Sequence, residues 1–148
     1  MKVDKIIALI KERVGGYYAL PGWKSHRKMS VIPINSITEK AFIPPNDAKQ
    51  ASVSIILFEE NNQLFFLLTK RTDNVEHHKG QVSLPGGAID KNETAQNASL
   101  RETNEEIGID SSTLKSLGQL SSLYTPVSYL SLIHISEPTR LLSIWYAV

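Results

Sequence analysis

Three carboxylates stand close together near the end of the chain: Glu102, Glu105 and Glu106. Spacings of three and four residues put them on one face if the stretch is helical. Like charges at that spacing repel by about 0.2–0.5 kcal/mol per pair, and a cation among them relieves the repulsion. Hard oxygen donors suit Mg2+ or Mn2+, not zinc. Taken alone, the same run also fits a solvated acidic helix face, the usual fate of such charges. Ala95 and Ala98 fall on the same face one and two turns earlier, where small side chains leave room for a ligand. Leu100, Thr103 and Ile107 fall opposite, and Leu100 and Ile107 are expected to anchor that side in the core.

The residues before the helix add the specific signal. Pro85-Gly86-Gly87 leads out of a short apolar run, and glycine lets backbone approach a ligand or metal closely. Gly87 is followed by five residues and Glu93, then by seven residues and Arg101-Glu102, and then by Glu105, Glu106, Gly108 and Ile109. This pattern resembles the Nudix box. Every fixed position of the box is matched, and the one soft departure is Thr103 where an aliphatic residue is usual.

The resemblance implies an α/β protein of the Nudix fold, an α/β/α sandwich around a mixed β-sheet. It implies cleavage of a diphosphate bond with water and a divalent cation, Mg2+ or Mn2+. Glu102, Glu105 and Glu106 would hold the metal, with the carbonyl of Gly87 a further ligand, and one of the glutamates could instead orient the attacking water. Arg101 would join the catalytic set by pinning the carboxylates through bidentate contacts. Gly86, Glu93 and Gly108 would support the loop–helix geometry.

A second pattern lies just upstream. Residues 67–87 look like the signature of the coenzyme A pyrophosphatases within that family: Leu67, Leu68, Thr69, Arg71, His78, Gly80, Gln81, Val82, Pro85, Gly86 and Gly87 match it. Thr72, Val75, Ser83 and Leu84 are mild changes, whereas Glu76 reverses the charge of an arginine and puts one anion contact in doubt. Leu20-Pro21-Gly22, His26 and Met29 resemble the leader of the same family. The implied substrate is coenzyme A or an acyl derivative, split to 3′,5′-ADP and a 4′-phosphopantetheine product. Arg71, His78 and Lys79 are candidate phosphate partners, each with a structural loop contact as the alternative. Other Nudix substrates, such as ADP-ribose, a dinucleotide or a nucleoside triphosphate, form the near alternative. A non-catalytic domain, inactive by truncation or nucleotide-binding, is the further one.

These residues need elements to hold them. Ile6, Ile7, Leu9, Ile10 and Val14 recur at helical spacing over residues 3–14, and Gly15-Gly16 ends that amphipathic helix. Residues 17–50 contain four prolines and read as irregular. Strands are expected over 52–59 and 63–70 as a hairpin turned at Glu60-Asn61-Asn62, and over 81–84, stopped by Pro85-Gly86-Gly87. A helix follows from about Thr94 to Ile107 with Gly108 as its left-handed cap, and residues 114–123 read as another strand.

Bulk properties narrow the class. The chain has 148 residues, enough for one domain with its own core, and 41% apolar against 21% charged residues marks a globular chain. A net charge of +1 argues neither for nor against a nucleic-acid surface. The absence of cysteine removes disulfides and thiolate chemistry, and it suits a cytoplasmic setting. Charges interrupt the N-terminal apolar run, so no export signal is read, and no segment is apolar enough to span a bilayer. The expected partner is a small-molecule CoA-type substrate, not a nucleic acid or a membrane.

The sequence divides into an N-terminal amphipathic helix within 1–19, the Nudix domain over 20–128, and a tail over 129–148. Ser131-Leu-Ile-His-Ile-Ser-Glu-Pro-Thr-Arg140 resembles the translation of a sequencing adapter. The tail is therefore expected to be non-native and the domain incomplete at its C-terminus. Apolar residues such as Ile133 and Ile135 are then expected to lie exposed or loosely packed, although a pseudo-strand could still pair with an open sheet edge.

Overall fold

The computed structural model describes residues 3–15, 20–28, 44–70, 80–124 and 129–138. Helix α1 (Val3–Val14) has the expected bounds, and its apolar stripe lies on the sheet. A second helix, α2 (Trp23–Lys28), falls inside the stretch read as irregular. Six residues are too few to show a helical period, which is why the pattern missed it.

Strand β1 (Lys49–Glu60) turns through Asn61-Asn62 into β2 (Gln63–Phe66), with Phe58 and Phe65 stacked across the hairpin at 5.7 Å. The expected second strand breaks there. Its last two residues form β3 (Thr69–Lys70), which leaves β1 and pairs with β4 (Val82–Ser83) as a separate ribbon. Strand β4 does end before Pro85, but the glycines then open a further strand that was not expected: Gly86–Ala88 forms β5, antiparallel to Ala51–Val53 of β1. Then follow α3 (Ala95–Ile107), a 3-10 turn at Ser111–Thr113, β6 (Leu114–Gln119), β7 (Leu123–Tyr124) and β8 (Tyr129–Pro138).

The main sheet is mixed, with order β2-β1-β8-β6, and β5 and β7 extend it along β1 and β8. Strand β8 runs parallel to β1 in register Lys49↔Tyr129 to Ile56↔Ser136, and antiparallel to β6 and β7. The tail thus supplies a central strand over residues 129–138, and the expectation for Ile135 is corrected. It is 7% exposed and sits in the core with Leu57 and Leu117, while Ile133 is half-buried. Successive side chains of β8 alternate between the two faces, so Ile133 and Ile135 share one face and Leu132 and His134 the other.

Two helices cover the two faces. Ile7, Ile10 and Val14 of α1 close over Leu57, Leu117 and Ile135. The register of β6 against β8 shifts between Ser116 and Gly118, and the glycine lets α1 approach there, since a Cβ at Gly118 would lie 2.5 Å from the Val14 carbonyl oxygen. Helix α3 covers the other face of β1. No helix among the described residues is long and apolar enough to cross a membrane.

Candidate active site

Helix α3 is fixed at both ends by its own sequence. Thr94 caps the N-terminus, its hydroxyl accepting from the Asn97 amide at 3.2 Å. Gly108 takes the left-handed conformation with φ 70° and its N–H donates to the Asn104 carbonyl. The buried side of the helix is Ala98, Ser99 and Thr103. This corrects two expectations. Ala98 is fully buried against the sheet and leaves no room for a ligand, and Leu100 and Ile107 are only half-buried. Small residues at the contact bring helix and sheet close together, and that closeness shapes the site.

Its centre is the contact of α3 with β5. A Cβ at Gly87 would lie 2.5 Å from Cδ of Glu102, so the carboxylate packs directly on the bare glycine backbone. Gly86 is confined in the other direction: its φ is 153°, and a Cβ would meet the Ser52 carbonyl and lie 2.6 Å from Cα of Val53. The Gly86 amide donates to Oε2 of Glu106 at 3.2 Å. Glu102 and Glu106, one helical turn apart, therefore flank the Gly86-Gly87 backbone.

Arg101 organises the charges around them. Its Nε and Nη2 donate to the two oxygens of Glu93 at 3.1 and 3.0 Å, a two-point fork. Its Nη1 donates to Glu102 at 2.8 Å and to Glu105 at 3.3 Å, and Nη2 also reaches the Ala88 carbonyl at 3.1 Å. Asp90 adds a longer ion pair at 3.8 Å. Hydrogen bonds from Arg101 hold the Glu93 carboxyl below its usual pKa, and those to Glu93 and then Glu102 push the guanidinium further up. Glu93 also accepts from the Asp90 amide at 3.2 Å, so the loop between β5 and α3 closes on the same pair.

The structure thus brings Gly86, Gly87, Glu93, Arg101, Glu102 and Glu106 together, while Glu105 is turned onto Arg101 and its side chain is 58% exposed. Among the described residues, no three acidic or histidine side chains converge closely enough to hold a metal ion by themselves. The donor set still fits a hard cation. Mg2+ commonly takes one or two carboxylates and completes its octahedron with water and substrate oxygens. Arg71, His78 and Lys79 lie outside the described residues, as does Met29; His26 lies on α2. The Ala88 carbonyl and Asp90 were not singled out as Arg101 partners, because a carbonyl carries no side-chain signal. Ser54 of β1 was not singled out either, although its hydroxyl lies 3.2 Å from that of Thr103.

Comparisons with known proteins bear on the family and the fold. The model of the NUDIX domain matches residues 48–147. Nudix hydrolase 3 of Caenorhabditis elegans is 36% identical over 98 residues, covering 66% of this chain and 40% of that protein. The uncharacterized Nudix hydrolase NudL of Yersinia pestis (strain Pestoides F) is 32% identical over 98 residues, covering 66% of this chain and 48% of that protein. The chain spans less than half the length of these curated relatives. In fold it is similar to the crystal structure of a Nudix hydrolase from M. smegmatis, RenU, with a TM-score of 0.55, 20% identity and 68% of each chain covered.

Proposed function

The chain belongs to the Nudix family, and from that premise we propose that it hydrolyses the diphosphate of coenzyme A or acyl-CoA, using Mg2+ or Mn2+. The observation that carries the reading is the Glu102 carboxylate packed on the bare backbone of Gly87, with Glu106 on the adjacent amide. The products are 3′,5′-ADP and (acyl) 4′-phosphopantetheine. Water oxygen forms a new bond to one phosphorus, the bond from that phosphorus to the bridging oxygen breaks, and the water proton leaves to a base.

In this reading Glu102 and Glu106, with the Gly87 carbonyl, hold the cation, and Glu105 joins them by leaving Arg101. The cation supplies positive charge at the diphosphate and makes water a better nucleophile. Arg101 aims Glu102 and Glu105 through its Nη1 hydrogen bonds, and its fork to Glu93 locks the loop so that the Gly87 carbonyl does not drift. The preference for CoA rests on the resemblance of residues 67–87, with Arg71, His78 and Lys79 as the phosphate partners.

The test is metal-dependent turnover of CoA and of ADP-ribose, side by side. Glu105→Ala and Glu106→Ala are expected to lose more than about a hundredfold on both substrates while the fold survives. Arg71→Ala is expected to lose roughly tenfold to a hundredfold on CoA and less on ADP-ribose. Near-wild-type rates in both glutamate variants would sink the metal site. Equal Arg71 losses on both substrates would leave a Nudix hydrolase with a different substrate.

We also propose that residues 129–148 are non-native, even though 129–138 pair as the central strand β8 and the NUDIX match runs to residue 147. Support comes from the adapter-like run 131–140 and from the buried Nε2 of His134, which has no hydrogen-bond partner. A chain carrying a Nudix protein's own C-terminal region there is expected to be more soluble and more active. Equal melts and equal CoA turnover in the two chains would overturn this.

A further inference from the structure

Between α3 and the sheet lies a layer of buried hydroxyls. Ser54 is 1% exposed, Ser99 1% and Thr103 0%. The Ser54 hydroxyl donates to the Ser99 carbonyl at 3.2 Å, and Thr103 Oγ1 lies 2.7 Å from that carbonyl and 3.2 Å from Ser54 Oγ. The same Ser54 donates its backbone N–H to the Pro85 carbonyl at 2.9 Å. One residue of β1 therefore grips both halves of the site. Its side chain holds the helix that carries the glutamates, and its backbone holds the residue next to Gly86-Gly87. The Gly86 amide closes the circuit by donating to Glu106 on α3.

We propose that Ser54, together with Thr103, is a positioning residue that sets the register of α3 against the Gly86-Gly87 backbone and thereby the affinity of the site for its cation. An apolar contact at this place would tolerate sliding, because dispersion has no direction, whereas hydrogen bonds in a dry layer fix distance and angle. The Glu102 carboxylate, the flexible end of its side chain, lies against the Gly87 backbone. A slip of α3 by a fraction of its 1.5 Å rise per residue alters that contact. Thr103 is also the one box position at which the sequence departs from the usual aliphatic residue, and here its hydroxyl has a partner.

The inference rests on the metal-site reading above, and the test separates the two. Mn2+ affinity is measured by electron paramagnetic resonance on the full chain, together with a thermal melt. The variants are Ser54→Ala, Thr103→Val, Thr103→Ser, the double Ser54→Ala/Thr103→Val, and Ile135→Val as a control on the opposite face of the sheet. Ser54→Ala is expected to weaken Mn2+ binding about fivefold, the size of one buried hydrogen bond. Thr103→Val is expected to act in the same direction, less than additively in the double variant, and Thr103→Ser to retain the affinity. Ile135→Val is expected to lower Tm by a few degrees and leave Mn2+ affinity unchanged. Failure of the unaltered chain to bind Mn2+ overturns the metal-site reading and this inference with it. Binding by the unaltered chain that Ser54→Ala does not weaken, or that Ile135→Val weakens equally, overturns this inference alone.

Discussion

The two faces of the central sheet are built from different chemistry. Under α1 the buried residues are Leu57, Leu117 and Ile135, with Ile7, Ile10, Val14, Ile55, Leu64 and Leu120 packed around them. Under α3 they include Ser52, Ser54, Ser99 and Thr103, with Ile56 and Ala98 among them. His134 and Ser136 of β8 stand in register with Ser54 and Ile56 and share their face. The apolar face gains free energy from area removed from water and tolerates small shifts of the helix. The hydroxyl face gains less per residue but fixes where α3 sits, because each donor and acceptor has to find its partner. The helix that carries the glutamates lies on the second face. In this molecule the stability-bearing layer and the site-bearing layer are on opposite sides of one sheet.

The largest expected effect that would break this division is in the apolar layer. Leu57 is 8% exposed and central to the cluster under α1. Leu57→Ala is expected to cost about 2–5 kcal/mol, from lost transfer energy and the cavity left behind. Mn2+ affinity of the folded fraction is expected to stay within twofold of the unaltered chain. Urea melts with and without Mn2+ give both quantities, and Ile55→Val supplies a milder form should Leu57→Ala not fold. A large loss of Mn2+ affinity in either variant, measured where the protein is folded, would mean that the two faces are not separable.

The sequence made one of these faces legible and hid much of the other. The α1 stripe shows because apolar residues recur at helical spacing, and α3 shows because Thr94 and Gly108 mark its ends. The acidic face shows because Gly87, Glu93 and Arg101 precede the glutamates at the spacing of the box, since the three charges alone also fit a solvated helix face. The strand β5 does not show, since Pro85-Gly86-Gly87 reads as punctuation. Those glycines are instead selected by close approach, Gly86 to the backbone of β1 and Gly87 to Glu102. The hydroxyl layer does not show either. Serine alternating with valine and isoleucine along residues 52–55 looks like a solvated face, and only the packing of α3 reveals that both faces of β1 are covered. Ala98 misleads for the same reason, because smallness serves close packing as well as it serves an open ligand site.

A smaller effect sharpens the comparison, and it concerns the one buried side-chain polar atom among the described residues that has no hydrogen-bond partner. His134 is 6% exposed, its in-register neighbours Ser54 and Gln119 are uncharged, and its Nε2 is unpartnered. Burial pushes the imidazole below its ordinary pKa of 6.5, so it is held neutral in the folded chain. Between the lowered folded value and the ordinary one, the unfolded chain binds more protons than the folded chain. Stability is then fully present above about pH 6.5 and is lost as pH falls below it, flattening again under the folded pKa. His134→Leu removes both the titration and the unpaired nitrogen. It is expected to raise stability by about 1 kcal/mol near neutral pH, which is roughly 2–4 °C in Tm for a domain of this size. The gain over the unaltered chain is expected to widen between pH 6.5 and 5. Thermal melts of both chains across pH 8 to 5 decide it. A pH-independent difference, or a loss on substitution, would show that His134 has a partner in solution and that the hydroxyl face is satisfied throughout. A gain that widens in acid would mark position 134 as the place where the strand β8 fits this face least well, as a segment foreign to the domain would.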